Sequence, residues 1–182
     1  MSPITTREIT YAALFTALVA AGAFVAIPVG PVPFTLQVLF VLLAGMVLGP
    51  RLGAASVVAY LALGLLAPVY AGGASGIGAL LGPTGGFLLG FLPAAVVTGA
   101  VSRRDRPTLQ RFVVAGLAGL APIYALGALW LALQLHLSAG AAIATGVAPF
   151  VLLDALKAVA AGLAARSLVS LPLGLPALQR DR

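Results

Sequence analysis

Apolar residues in this chain come in long runs, interrupted by short clusters of proline, glycine and arginine. A bilayer core of about 30 Å takes roughly 20 apolar residues per helix, and at that length the runs divide into six spans. The first covers about Ile9 to Ile27 and stops at the Pro/Gly cluster Pro28 to Pro33. The second begins near Phe34 and meets Gly49-Pro50-Arg51, after which the apolar run continues to Leu66, too long for one crossing. Proline cannot continue a helix and lipid rejects arginine, so the pattern predicts a tight helical hairpin there. Ala67 to Leu81 is apolar yet glycine-rich, with Gly72, Gly73, Gly76 and Gly78. Backbone without regular pairing cannot face lipid, which predicts a covered, re-entrant-like external loop between the third and fourth helices. The fourth span runs from near Pro83 to Ser102, and a polar run, Arg103 to Arg111, separates it from a fifth that ends near Leu135. The sixth extends from about Pro149 to Val169 after a small-residue approach, Ala139 to Gly146. The expected architecture is an all-α polytopic membrane protein: one six-helix domain over residues 1–171, with a loose cytoplasmic tail over 172–182.

Composition narrows the solvent. Apolar side chains make up 62% of the 182 residues and charged ones 8%, against about half and about a quarter in soluble chains. The mean hydropathy of +1.15 agrees that lipid surrounds most of the surface. No cysteine is present, which excludes disulfides, thiolate zinc sites and a cysteine nucleophile. One histidine and four acids leave little from which to build a metal cage or a catalytic triad. The absence of a Gly-x-x-x-x-Gly-Lys-Ser/Thr loop excludes ATP hydrolysis by that route.

The formal charge of +6 invites a nucleic-acid reading that its distribution contradicts. Arg7, Arg51, Arg103, Arg104, Arg106, Arg111, Arg166, Arg180 and Arg182 fall at one set of span ends. The opposite connections, near 28–33, 67–82 and 136–148, contain no Lys or Arg. The charge therefore reports topology, with both termini cytoplasmic and uncharged external loops. The first apolar run is long for a signal core and five spans follow it, so a retained helix is expected.

With the cytoplasmic charges set aside, Asp154 and Lys157 remain inside the apolar region. Each costs roughly 2.5–3.5 kcal/mol at a helix centre on insertion scales. Their i, i+3 spacing places both on one helical face, where they neutralise each other. A buried pair that only fixed packing would be weakly justified, because apolar replacements are often neutral or stabilising. The pair is therefore read as a binding site. Gly82-Pro83-Thr84-Gly85-Gly86, at the external start of the fourth helix, offers free backbone N–H groups and room for a ligand. With Ala71-Gly72-Gly73 it is a candidate pocket lining. Gln37 is a second candidate, and Thr35 reads as a helix cap. Tyr124 lies too deep for the interfacial belt to which Trp130 is assigned; it either packs or presents its hydroxyl to a ligand. His136 reads as a surface residue. Ala13, Ala17 and Ala21 repeat at four-residue spacing, which lets helices approach closely.

Five stretches carry these residues: Pro31-Val-Pro-Phe-Thr-Leu-Gln37, Leu43-Ala-Gly-Met-Val-Leu-Gly-Pro-Arg51, Pro68-Val-Tyr-Ala-Gly-Gly73, Gly82-Pro-Thr-Gly-Gly-Phe-Leu-Leu-Gly-Phe91 and Pro149-Phe-Val-Leu-Leu-Asp-Ala-Leu-Lys157. In this order the chain resembles the BioY family over about residues 8 to 170. That resemblance implies a biotin-binding capture component of an energy-coupling-factor importer in a prokaryotic cell membrane. It implies as partners a membrane coupling subunit and two cytoplasmic ATPases, no cofactor, and a loaded component that reorients to release its vitamin inward. Ala13 and Ala17 are similar to the small-residue face by which such components dock on the coupling subunit.

The residues suit that ligand on their own chemistry. A cyclic urea offers two N–H donors and one carbonyl: Asp154 accepts from the former and Lys157 donates to the latter. Phe34, Tyr70, Phe87 and Tyr124 are candidate walls for the ring and chain. The external loops hold no cation for the carboxylate tail, which is assigned to backbone N–H groups near Gly73 or Gly85, to Thr84 or Ser75, or to water. Two other classes compete. A self-sufficient biotin carrier would need alternating access, and no inverted repeat is visible to build it. An intramembrane enzyme using Asp154 and Lys157 as acid and base lacks a nucleophile–base pair or a metal cluster.

Overall fold

The computed structural model describes residues 5–103, 107–171 and 175. Helix α1, Thr6–Phe24, is started by a capping box in which Thr5 and Glu8 satisfy each other's backbone N–H groups. The chain then forms strands β1, Ala26–Val29, and β2, Val32–Thr35, paired antiparallel with Pro28 opposite Pro33. This short two-stranded ribbon is added to a chain that is otherwise all-α, as expected. Gly30 supplies the positive φ, 63°, that a two-residue turn favours. The pair flanking such a turn exchanges the hydrogen bonds and the next pair does not, so prolines, which have no N–H to donate, fit at 28 and 33.

Helix α2, Gln37–Leu66, is broken at Gly49, whose φ of 79° and ψ of 178° only glycine adopts readily. Its limbs lie antiparallel. Gln37 touches Tyr60, a pair that a straight helix would hold about 35 Å apart. Gly53 likewise packs on Gly45, whose Cα would lie 3.1 Å from an added Cβ. The hairpin expected at Pro50 is thus present. A 3₁₀ turn, Ala71–Gly73, and helix α3, Gly76–Leu81, follow. The glycine-rich stretch is therefore folded rather than irregular. Most of its residues are exposed, Tyr70 being buried, so it serves as a cover and is not itself covered.

Helix α4 is Gly85–Ser102, α5 is Leu109–Leu135 and α6 is Ala139–Gly146. Helix α7, Val151–Val169, leaves α6 at a 53° bend, so the small-residue approach is itself helical. The limbs of α2 pack on α4, α5 and α7, with α1 outside them. By length and composition four helices of the described residues qualify to cross a membrane: α1, α2 with its following turn, α4 and α5. A fifth is added if α6 and α7 form one broken span; α2 is counted once although it folds back on itself. The chain is a multi-pass helical membrane protein. The loose tail expected beyond residue 171 lies outside the described residues, apart from Leu175, which is buried in the core.

Candidate functional site

Asp154 lies in the first turn of α7, where free N–H groups and the helix dipole favour a carboxylate. Lys157 sits one turn on, and the two side chains are only 5% and 6% exposed. Their ion pair is 2.7 Å long. Lys157 Nζ also donates to the Thr35 carbonyl at 2.6 Å and lies 3.8 Å from the centre of the Phe34 ring. The other carboxylate oxygen of Asp154 accepts from the Tyr124 hydroxyl at 2.7 Å. Three elements distant in sequence, β2, α5 and α7, therefore converge on one charge pair.

The pair faces a cavity of about 220 Å³. Val32, Phe34, Tyr70, Phe87, Phe91, Ile123 and Phe150 make its apolar walls, and Thr84 and Gln37 add polar atoms. Apolar walls with a few convergent polar groups are the usual make-up of a small-molecule site. The charges are not exhausted within it. A carboxylate has about four acceptor positions and an ammonium three donors, and two of each are used. A ligand presenting both donors and an acceptor can bond to each group without breaking the pair. Among the described residues no group of three or more His, Cys, Asp or Glu could hold a metal ion.

Of the candidates read from sequence, Asp154, Lys157, Gln37, Thr84 and Tyr124 line the cavity, as do the aromatic walls Phe34, Tyr70 and Phe87. Tyr124 gives its hydroxyl to Asp154, a role that neither possibility left for it had named. Gly73, Gly85, Gly86 and Ser75 do not line the cavity. Gly73 is at a φ of 77° in an exposed turn. A Cβ on Gly85 would strike the Leu80 carbonyl, and one on Gly86 would strike Trp130 and Leu126. Those two glycines make room for protein, not for ligand. Trp130 is correspondingly more than a belt residue, since its Nε1 donates to the Gly82 carbonyl at 2.9 Å and pins the end of the glycine-rich cover. Thr35 bonds to Gln37 near the start of α2, but its larger contribution is the carbonyl it gives Lys157. His136 is exposed at the end of α5. Ala13, Ala17 and Ala21 lie exposed along α1, away from the cavity.

Sequence reading missed Phe91, Ile123 and Phe150. Phe91 follows Phe87 at one helical turn on α4, a spacing that marks a shared face. Phe150 directly precedes α7, four residues before Asp154.

A helical membrane bundle with a ligand-sized cavity built around an intramembrane charge pair is the form of a small-molecule receptor in a transport system. Comparison with known proteins makes the assignment specific. The profile of the BioY family matches residues 1–172. The biotin transporter BioY of Thermotoga maritima is 43% identical over 166 residues, covering 91% of this chain and 97% of its own. That of Rhodobacter capsulatus is 46% identical over 178 residues, covering 89% and 93%. The crystal structure of the S-component for biotin from an ECF-type ABC transporter superposes with a TM-score of 0.85 at 29% identity, covering 93% of this chain and 96% of that one. The chain belongs to the BioY family.

Proposed function

We propose that this chain is the biotin-capturing subunit of an ATP-driven energy-coupling-factor importer. The observation that carries the proposal is the Asp154–Lys157 pair, buried, held by Tyr124 and Thr35, and turned to a cavity with bonding capacity to spare. The names of the relatives support the same reading. The ureido N–H donates to Asp154, and Lys157 donates to the ureido oxygen. Each bond involves a charged group and contributes about 1.5–3 kcal/mol. The aromatic walls take the bicyclic ring and the valeryl chain. No bond is made or broken, so the chain acts as a binding protein and not as an enzyme.

In this reading the two limbs of α2 count as two spans and α6–α7 as one, which gives six. The arginines of the chain lie on the cytoplasmic side with both termini, and the cavity opens outward beneath the glycine-rich cover. Ala13 and Ala17 form the docking face for a membrane coupling subunit, which links the chain to two cytoplasmic ATPases. Close approach of a second helix needs such small, exposed residues. Calorimetry on the purified chain, stripped of endogenous ligand, tests the capture step. The expected result is saturable biotin binding without ATP; folded protein that binds no biotin would end the proposal.

A further inference from the structure

We infer that Tyr60, which does not line the cavity, is a positioning residue: it ties the charge pair to the glycine-rich cover and so sets how long a bound ligand is retained. This rests on the biotin-binding reading above. Along one side of the cavity the donors follow one another in a series. Lys157 Nζ donates to the Thr35 carbonyl at 2.6 Å, and the Thr35 hydroxyl donates to Gln37 Oε1 at 3.1 Å. Gln37 Nε2 donates to the Tyr60 hydroxyl, which in turn donates to the Val69 carbonyl at 3.3 Å. The next residue, Tyr70, forms part of the cavity wall. Its hydroxyl donates to the Leu61 carbonyl at 2.6 Å and its ring meets that of Tyr60 edge-on at 5.5 Å.

Gln37 is 2% exposed and Tyr60 0%. In this buried setting a hydrogen bond is electrostatically stronger than in water, and an unpaired polar group is costly. The side-chain amide of Gln37 is oriented from both sides, its oxygen by Thr35 and its nitrogen by Tyr60. Tyr60 thus holds both the Gln37–Thr35 side of the cavity and the start of the cover. The far end of the cover is fixed separately by Trp130 on Gly82. A ligand seated on Lys157 and packed against Tyr70 touches both ends of the series. Loss of the Tyr60 hydroxyl disconnects the near end of the cover from the charge pair while leaving the bonds among Lys157, Asp154, Thr35 and Tyr124 intact.

The test is Tyr60→Phe in the full-length purified chain, with Thr35→Val as a second variant that cuts the same series one step upstream. Three readouts are needed: the dissociation rate of labelled biotin into excess unlabelled biotin, its association rate, and hydrogen exchange of residues 67–82 with and without biotin. In the wild type, biotin should slow exchange of that segment. In each variant, dissociation should be about tenfold faster, the size expected for one buried hydrogen bond. In Tyr60→Phe association should stay within about twofold, since that residue does not line the cavity, and in both variants biotin should no longer protect 67–82. A purely structural role for Tyr60 would lower thermal stability yet leave ligand-dependent protection intact. Wild-type dissociation, or wild-type protection of the cover, in a folded variant overturns the inference. Absence of biotin binding by the wild type overturns the parent reading instead.

Discussion

Replacing Lys157 by alanine tests whether the intramembrane charge pair exists for the ligand. The ammonium makes three contacts in the protein: Asp154 at 2.7 Å, the Thr35 carbonyl at 2.6 Å and the Phe34 ring at 3.8 Å. One donor is left for a ureido oxygen. Truncation removes that bond, worth about 1.5–3 kcal/mol. It also strips Asp154 of its counter-charge, leaving a carboxylate that is 5% exposed with only the Tyr124 hydroxyl as partner. Breaking a buried pair by removing one partner costs about 3–5 kcal/mol of stability, whereas the lost ureido bond corresponds to roughly 10- to 160-fold weaker biotin binding. Membrane insertion should not suffer, because removing a charge relieves an insertion cost of roughly 2.5–3.5 kcal/mol. The assay is calorimetric titration of stripped, monodisperse variant against wild type. A double replacement, Asp154→Asn with Lys157→Met, separates affinity from stability: it should recover thermal stability relative to Lys157→Ala without recovering affinity. Biotin affinity within threefold of wild type in folded Lys157→Ala would refute the reasoning.

The remaining predictions address the support around that pair. Tyr124→Phe removes the bond to Asp154 at 2.7 Å and should weaken biotin binding about 10- to 100-fold by calorimetry, a loss of roughly 1.5–3 kcal/mol. Gly49→Ala places a side chain at a φ of 79° and ψ of 178° and should cost about 1–3 kcal/mol of stability, lowering the thermal midpoint with little change in affinity once folded. Ala13→Leu with Ala17→Leu adds bulk to an exposed helix face, and should abolish co-purification with the coupling subunit while biotin binding stays at the wild-type level.

The sequence exposed those features whose cost in lipid is borne by a single residue. Pro50 and Arg51 cannot continue a span, so the hairpin was readable, and Lys157, the only lysine, could not be lipid-facing by default. Features that depend on a distant partner were hidden. Tyr60 reads as one more large residue in an apolar run, because only the reversal at Gly49 brings it against Gln37. Gly85 and Gly86 announce that something comes close, and the sequence does not say that Leu80 and Trp130 are what come. The Pro28–Pro33 segment looked like helix punctuation. It forms a ribbon because both prolines occupy the same cross-strand pair, where no backbone donor is needed. That ribbon matters to the site, since its last residues, Phe34 and Thr35, are the ones that hold Lys157.

A structure of the chain crystallised with biotin would test the central claim most directly. The ureido ring should lie between Asp154 and Lys157, an N–H on the carboxylate and the oxygen on the ammonium, with Tyr70 and Phe87 against the ring and chain. Biotin bound elsewhere, or bound in this cavity with the ureido group turned away from both charges, would contradict it.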